Sequence, residues 1–138
     1  VGMNMNCASP KGYQPNPTIL AQAQEDALQT GCSITVEEDM FHAAKDADVL
    51  YTDVWTSLGE EAEREIRFKA LHEYQINSEL LAQARPEAIV LHCLPAHRGE
   101  EITEEVLEGT QSVVFDEAEN RLHVQKAIMA LLMSDEVL

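Results

Sequence analysis

The apolar run Ala88–His92 is the feature that most restricts the fold of this chain. Its five residues read Ala-Ile-Val-Leu-His, without the polar alternation of a strand that has one face in water. A short continuous run of this kind is typical of a strand covered on both faces, as in a parallel sheet. Helices must then lie on the two faces of the sheet, so the run predicts an α/β fold.

The rest of the chain alternates between strand patterns and helix patterns. The other predicted strands are Met3–Ala8, Ser33–Val36, Val49–Thr52 and Ser112–Phe115. The predicted helices are Ile19–Thr30, capped by Thr18 and ended by Gly31, then Asp39–Lys45, Gly59–His72, Glu79–Ala84 capped by Ser78, Glu104–Glu108 capped by Thr103, and Ala118–Met133. This order predicts one α/β domain over residues 1–138, built on a parallel sheet with flanking helices.

Composition excludes several classes of partner. The 138 residues include 9 Lys and Arg against 25 Asp and Glu, a formal net charge of −16. Such a surface repels nucleic acid and anionic membrane surfaces, so neither is an expected partner. The three cysteines have no paired spacing and there is no apolar run long enough to span a bilayer, which favours a reducing, cytoplasmic location.

Ligands of parallel sheets bind at the carboxyl ends of the strands, and this rule selects Asp53, Cys93 and the turn that leads to Arg121. Asp53 and Ser57 together could bind an ammonium group, although from the residues alone Ser57 is better explained as the cap of the helix that follows. Arg121 could bind an anion or could form a salt bridge with Glu117, and the salt bridge is the more common arrangement.

Two interpretations of Cys93 stay open. A Cys that follows an apolar strand is usually a small buried residue, but His92, His97 and Arg98 lie close in sequence and could lower the pKa of its thiol. No second Cys or His pair stands at a zinc-ligand spacing, so no metal site is expected. There is also no glycine-rich phosphate loop, and no cofactor is expected.

Four motifs in one order resemble the ornithine carbamoyltransferase family along essentially the whole chain. They are Asp-Val-Trp-Thr-Ser-Leu-Gly at 53–59, Tyr-Gln-Ile-Asn at 74–77, His-Cys-Leu-Pro at 92–95 and Phe-Asp-Glu-Ala-Glu-Asn-Arg-Leu-His at 115–123. Members of this family join a domain that binds carbamoyl phosphate to a Rossmann-like domain that binds ornithine. They transfer the carbamoyl group to the δ-amine of ornithine, which gives citrulline and phosphate.

The resemblance implies a role for each matching residue. Asp53 and Ser57 would bind the α-amino end of ornithine, and Leu58 would add backbone and packing contacts. Cys93 would lie beside the δ-amine, where it orients the nucleophile or assists its deprotonation; Asp53 and Cys93 are therefore the implied catalytic residues. The carbonyl of Leu94 would contact the carbamoyl amide. Arg121 would reach carbamoyl phosphate.

The chain departs from the family pattern in two ways. Leu58 stands where the family usually has Met, a nearly volume-conserving change. The phosphate-binding motif of the family is absent, and so are the first strand and helix of the ornithine domain, whose end the opening Val1-Gly2 resembles. We therefore expect residues 1–138 to be a partial ornithine-binding domain that lacks the carbamoyl-phosphate domain and is inactive alone.

The missing strand would lie in the middle of the sheet. Its absence predicts either a rearranged sheet or a dimer that exchanges elements between chains. The resemblance implies that full-length members of the family form homo-oligomers based on trimers. Other interpretations stay open: a binding module without catalysis, a structural protein without a ligand, or a carbamoyltransferase for another amine. An aspartate-type site should carry cations where Asp53 stands, and Ser57 favours ornithine over putrescine.

Overall fold

The computed structural model describes residues 2–56, 59 and 61–133 of the chain. Four short strands alternate with helices, which confirms the predicted α/β class. The strands are β1 (Met5–Ala8), β2 (Ile34–Glu37), β3 (Val49–Thr52) and β4 (Ile89–His92). The helices are α1 (Pro17–Thr30), α2 (Met40–Ala44), α3 (Arg64–Leu71), α4 (Ser78–Leu81), α5 (Glu104–Leu107) and α6 (Val114–Met133), and 3₁₀ turns at Glu61–Glu63 and His72–Tyr74 flank α3.

The described strands lie in two separate two-stranded parallel sheets, not in one continuous sheet. β1 pairs with β2, and β3 pairs with β4. The expectation of a rearranged sheet stays a prediction. Exchange of elements between two chains stays a prediction, as does the oligomeric state.

Local capping explains where the first helix begins and ends. The side chain of Asn16, and not the predicted Thr18, accepts hydrogen bonds from the first turn of α1, at 3.0 Å from the backbone N of Thr18. Pro17 then occupies the first helical position, which suits its fixed φ. Gly31 ends the helix in the left-handed region at φ 73°, as predicted.

The predicted strand Ser112–Phe115 is wrong. Ser112 forms a single parallel bridge with Val90, where the backbone N of Val113 donates to the Val90 carbonyl at 3.0 Å. The chain then turns directly into α6, which begins at Val114 and not at Ala118. Val114 is fully buried. Its apolar side chain therefore packs into the core from the first turn of a helix, although the sequence pattern had predicted a strand at this position.

The core packs mainly on one side of β3 and β4. Val90, Ile102, Val106, Leu107 and Val114 form its centre. Ile89 on β4 is 36% exposed, so the strand is not covered on both faces as the apolar run suggested. No helix of the described residues is long and apolar enough to cross a membrane.

Candidate functional site

Asp53 and Cys93 meet at the carboxyl ends of two paired strands. The register of β3 and β4 places Thr52 opposite His92, so the next residue of each strand leaves the sheet at the same level. The Cys93 thiol donates a hydrogen bond to Asp53 Oδ1 at 3.0 Å, across 40 positions of sequence. The structure therefore brings together the two residues that the sequence singled out as catalytic.

The Cys93 thiol is held in its protonated form. Burial raises its pKa, and the hydrogen bond to Asp53 raises it further, while a hydrogen bond from Tyr51 opposes the rise. The same hydrogen bond with Cys93 is the main reason that the pKa of Tyr51 rises to about 12. The prediction that neighbouring cations lower the pKa of the Cys93 thiol is wrong.

The reason is that the side chains of all three residues have other partners, although a ring nitrogen of His92 lies within 4.8 Å of the thiol sulfur. His92 turns into the core, where its ring contacts Glu101. Arg98 forms ion pairs with Glu104 and Glu108, and the ring of His97 lies 3.9 Å from Glu101. The carboxylate of Asp53 thus dominates the electrostatics at Cys93.

This environment makes the reactivity of Cys93 respond in opposite directions to two substitutions. Asp53→Asn removes a group that raises the pKa of the thiol, so the thiolate should form at lower pH and alkylation at neutral pH should become roughly three- to tenfold faster. Tyr51→Phe removes a group that lowers it, so alkylation should become slower. Iodoacetamide labelling across a pH series, read at the Cys93 peptide by mass spectrometry, measures both.

Cys32 in the same samples is the internal reference, because it lies outside the site at the end of α1 and is not altered by either substitution. Equal shifts of the Cys93 profile in the same direction for both variants would show that Asp53 and Tyr51 do not act on the thiol as the structure indicates.

The segment after Cys93 has a constrained backbone. Leu94 has φ of 52°, which is rare for a residue with a side chain, and the Leu94–Pro95 peptide bond is cis. The backbone N of Leu94 donates to His92 Nδ1 at 2.9 Å. Leu94 is therefore fixed beside Cys93 at the end of β4.

Arg121 lies on α6 and opens onto the same cleft as Cys93 and Leu94. The cleft has a volume of about 590 Å³, and Gln125 lines it one turn beyond Arg121. Within residues 2–56, 59 and 61–133, Arg121 is exposed and forms no ion pair. The salt bridge to Glu117 is therefore wrong, because Glu117 Oε2 accepts a hydrogen bond from the backbone N of His92 at 3.0 Å.

The other two residues predicted to bind substrate, Ser57 and Leu58, lie outside the described residues. The preceding part of their loop is described up to Thr56. Its Trp55 ring packs edge-on against Phe68 of α3, with 5.7 Å between ring centroids. α3 thus anchors the start of the loop that leads away from Asp53.

Two groups of side chains among the described residues place potential metal ligands close together, namely Asp53, His92 and Cys93, and His97, Glu100 and Glu101. In the first group both ring nitrogens of His92 already form hydrogen bonds. In the second, Glu100 pairs with the guanidinium of Arg64. The absence of a metal site stays a prediction.

Three residues of the site were missed by sequence reasoning. Tyr51 stands two positions before Asp53 on β3, so strand periodicity could have placed both on one face. Glu101 and Glu117 contact His92 through the fold, and no local pattern marks either of them.

A thiol and a guanidinium thus line one cleft at the strand ends of an α/β domain, and the Asp53 carboxylate is hydrogen-bonded to the thiol, an arrangement typical of sites for small charged ligands. Comparison with known protein families identifies the family within this class. The family described as "Aspartate/ornithine carbamoyltransferase, Asp/Orn binding domain" matches residues 1–132. The chain belongs to this family.

Individual relatives agree with the family match. The ornithine carbamoyltransferase of Gloeobacter violaceus is 56% identical over 96% of the chain. In its solved structure, the Pyrococcus furiosus ornithine carbamoyltransferase is 48% identical over 94% of the chain, with a TM-score of 0.88. In its crystal structure, the anabolic enzyme of Campylobacter jejuni is 41% identical over 98%, with a TM-score of 0.90. The chain spans 42% to 45% of the length of these relatives.

Proposed function

We propose that this chain forms the ornithine-binding side of an ornithine carbamoyltransferase. The complete protein would transfer the carbamoyl group of carbamoyl phosphate to the δ-amine of ornithine and release citrulline and phosphate. The observation that carries the proposal is the contact between Asp53 and Cys93 at 3.0 Å, beside the cleft that Arg121 opens onto. The relatives named above are ornithine carbamoyltransferases, which supports ornithine as the substrate.

Asp53 supplies the negative charge that an amine substrate needs. Its Oδ1 accepts hydrogen bonds from the backbone N of Val54 at 2.7 Å and from the Cys93 thiol. Within the part of the chain that the structure describes, Oδ2 has no hydrogen-bond donor, so it can accept one from a substrate ammonium group. Ser57 is proposed to add a second acceptor, and Leu58 to pack beside it.

The protonated Cys93 thiol has a different role from a nucleophile. In the proposed reaction the uncharged δ-amine attacks the carbamoyl carbon, a C–N bond forms, and the bond from that carbon to the phosphate oxygen breaks. A thiol donor beside Asp53 orients the amine for this attack, and the carboxylate accepts a proton that the amine releases. The amine, and not Cys93, is then the group that forms the new bond.

Arg121 and Leu94 face the other substrate in this proposal. The exposed guanidinium of Arg121 is suited to a phosphate, because it offers several donors in a fixed planar arrangement. Leu94 lines the same cleft, and its carbonyl is proposed to accept a hydrogen bond from the carbamoyl amide. The groups that bind the rest of carbamoyl phosphate would come from the other half of the longer protein, so the isolated chain should form no citrulline.

Titration calorimetry tests the substrate assignment. We expect the 138-residue chain to bind ornithine in a saturable manner and to bind putrescine, which lacks the carboxylate, more weakly. Equal affinity for both amines would favour a carbamoyltransferase for another amine. Absence of binding by ornithine in a folded chain would contradict the proposed site and favour a structural role.

A further inference from the structure

His92 and Glu101 form a buried polar pair that the proposed chemistry does not use. Both side chains are 0% exposed, and His92 Nε2 lies 3.0 Å from Glu101 Oε1. Burial of a carboxylate costs free energy that a pair of apolar residues would not cost. The hydrogen bonds of the pair show which part of the chain it holds in place.

The hydrogen bonds of Glu101 join the two ends of the segment that carries the site. Its Oε1 accepts from the ring of His92 at 3.0 Å and from the backbone N of His97 at 2.6 Å. One carboxylate oxygen thus fixes residues five positions apart, with Cys93 and Leu94 between them.

The second ring nitrogen of His92 extends this connection to Leu94. His92 Nδ1 accepts a hydrogen bond from the backbone N of Leu94 at 2.9 Å, so Nδ1 carries no proton and Nε2 is the donor to Glu101. The bond holds Leu94 at its left-handed φ of 52°.

Glu101 itself is fixed to the core. The backbone N of Ile76 donates to the Glu101 carbonyl at 2.9 Å, and the backbone N of Thr103 donates to the Ile76 carbonyl at 3.0 Å. The adjacent Ile102 is fully buried. The backbone that carries this carboxylate is therefore held by hydrogen bonds and by a buried neighbour.

We propose that Glu101 is a positioning residue that acts through His92 to hold the backbone of Cys93 and Leu94 in the geometry the site requires. The positioning itself stands on the contacts above, and its consequence for ornithine rests on the proposed function. His92 is a second positioning residue, because it transmits the connection to Leu94.

The test compares Glu101→Leu with Glu101→Gln in the 138-residue chain. Gln keeps an oxygen that can accept from both His92 and His97, whereas Leu keeps neither bond. In Glu101→Leu we expect His92 to lose its single tautomer, measured by ¹⁵N NMR of the imidazole, and Cys93 alkylation to become roughly three- to tenfold faster as the thiol leaves Asp53. Glu101→Gln should preserve the tautomer and the alkylation rate.

A second pair of variants keeps the proposal testable if Glu101→Leu does not fold. Asn in place of His92 retains an acceptor near Nδ1 for Leu94, whereas Gln in place of His92 retains only a donor near Nε2 for Glu101. Each variant interrupts the connection from Glu101 to Leu94 at one of the two nitrogens, so both should release Cys93 to faster alkylation. Glu100→Gln is the matched control, because it removes the charge of the adjacent carboxylate, which pairs with Arg64.

These readouts need no substrate, so they separate the positioning role from the proposed function. Weaker ornithine binding in Glu101→Leu, with Glu101→Gln close to the original chain, would extend the role to the substrate. Unchanged tautomer and alkylation in Glu101→Leu, or alkylation as slow as in the original chain in both His92 variants, would overturn the positioning role. A third outcome is that the Glu101→Leu variant shows the altered tautomer and faster alkylation although the original chain does not bind ornithine. That result would support the positioning role and contradict the proposed function.

Discussion

Asp53→Asn should weaken the binding of ornithine to the chain by about 2–3 kcal/mol, which is roughly a 30- to 150-fold loss of affinity. The substitution keeps the size of the side chain and removes its charge, so an ammonium group at the strand ends loses its ionic partner. It also removes the carboxylate that orients the Cys93 thiol at 3.0 Å. Titration calorimetry on the two chains side by side measures the change.

Asp48→Asn is the matched control for this result. Asp48 precedes the same strand at its opposite end and pairs with Arg85 at 2.6 Å on the surface. The variant loses the same charge from the chain, but an exposed ion pair contributes little to stability. If Asp48→Asn weakened ornithine binding as much as Asp53→Asn did, total charge and not the site would account for the effect.

Arg121→Gln should lower the rate of citrulline formation by about 10²- to 10³-fold in a protein that joins this chain to a carbamoyl-phosphate-binding half. Arg121 has no ion-pair partner among the described residues and opens onto the cleft of Cys93 and Leu94, so its charge is available to a phosphate group. Ornithine affinity should stay nearly constant, because the guanidinium is assigned to the other substrate. Steady-state kinetics with each substrate varied in turn measures both quantities.

Lys126→Gln on the same helix is the corresponding control. Lys126 is an exposed cation five positions further along α6 and does not line the cleft. Its replacement should leave the rate within about twofold, as expected for a surface change away from any site. A similar loss of rate in both variants would indicate a general effect of positive charge on this acidic chain and would contradict a specific role for Arg121.

The meeting of Asp53 and Cys93 could be predicted from sequence because two parallel strands place the residues after them at one edge. Arg121 was placed near the same edge through the predicted strand Ser112–Phe115, whereas in the structure it lines the cleft from α6. The beginning of α6 could not be predicted, because Ser112–Phe115 satisfies a strand pattern and only the single bridge to Val90 shows where pairing stops. Local patterns of four residues do not distinguish a strand from the first turn of a buried helix.

The chemistry of the site was harder to predict than its position. His92, His97 and Arg98 are neighbours of Cys93 in sequence, yet the thiol contacts Asp53 and Tyr51, so its pKa is raised and not lowered as one of the two open interpretations held. A pKa depends on groups close in space, and these came from another strand. The link from Glu101 to His92 was invisible for the same reason.

Citrulline formation by two separately produced halves tests the central claim most directly. The 138-residue chain, a carbamoyl-phosphate-binding half, ornithine and carbamoyl phosphate are mixed, and light scattering establishes that the two proteins associate. The account predicts citrulline only when both halves are present, with loss of the product when the chain carries Asp53→Asn. An associated pair that forms no citrulline although the chain binds ornithine, or citrulline formed by the 138-residue chain alone, would contradict it.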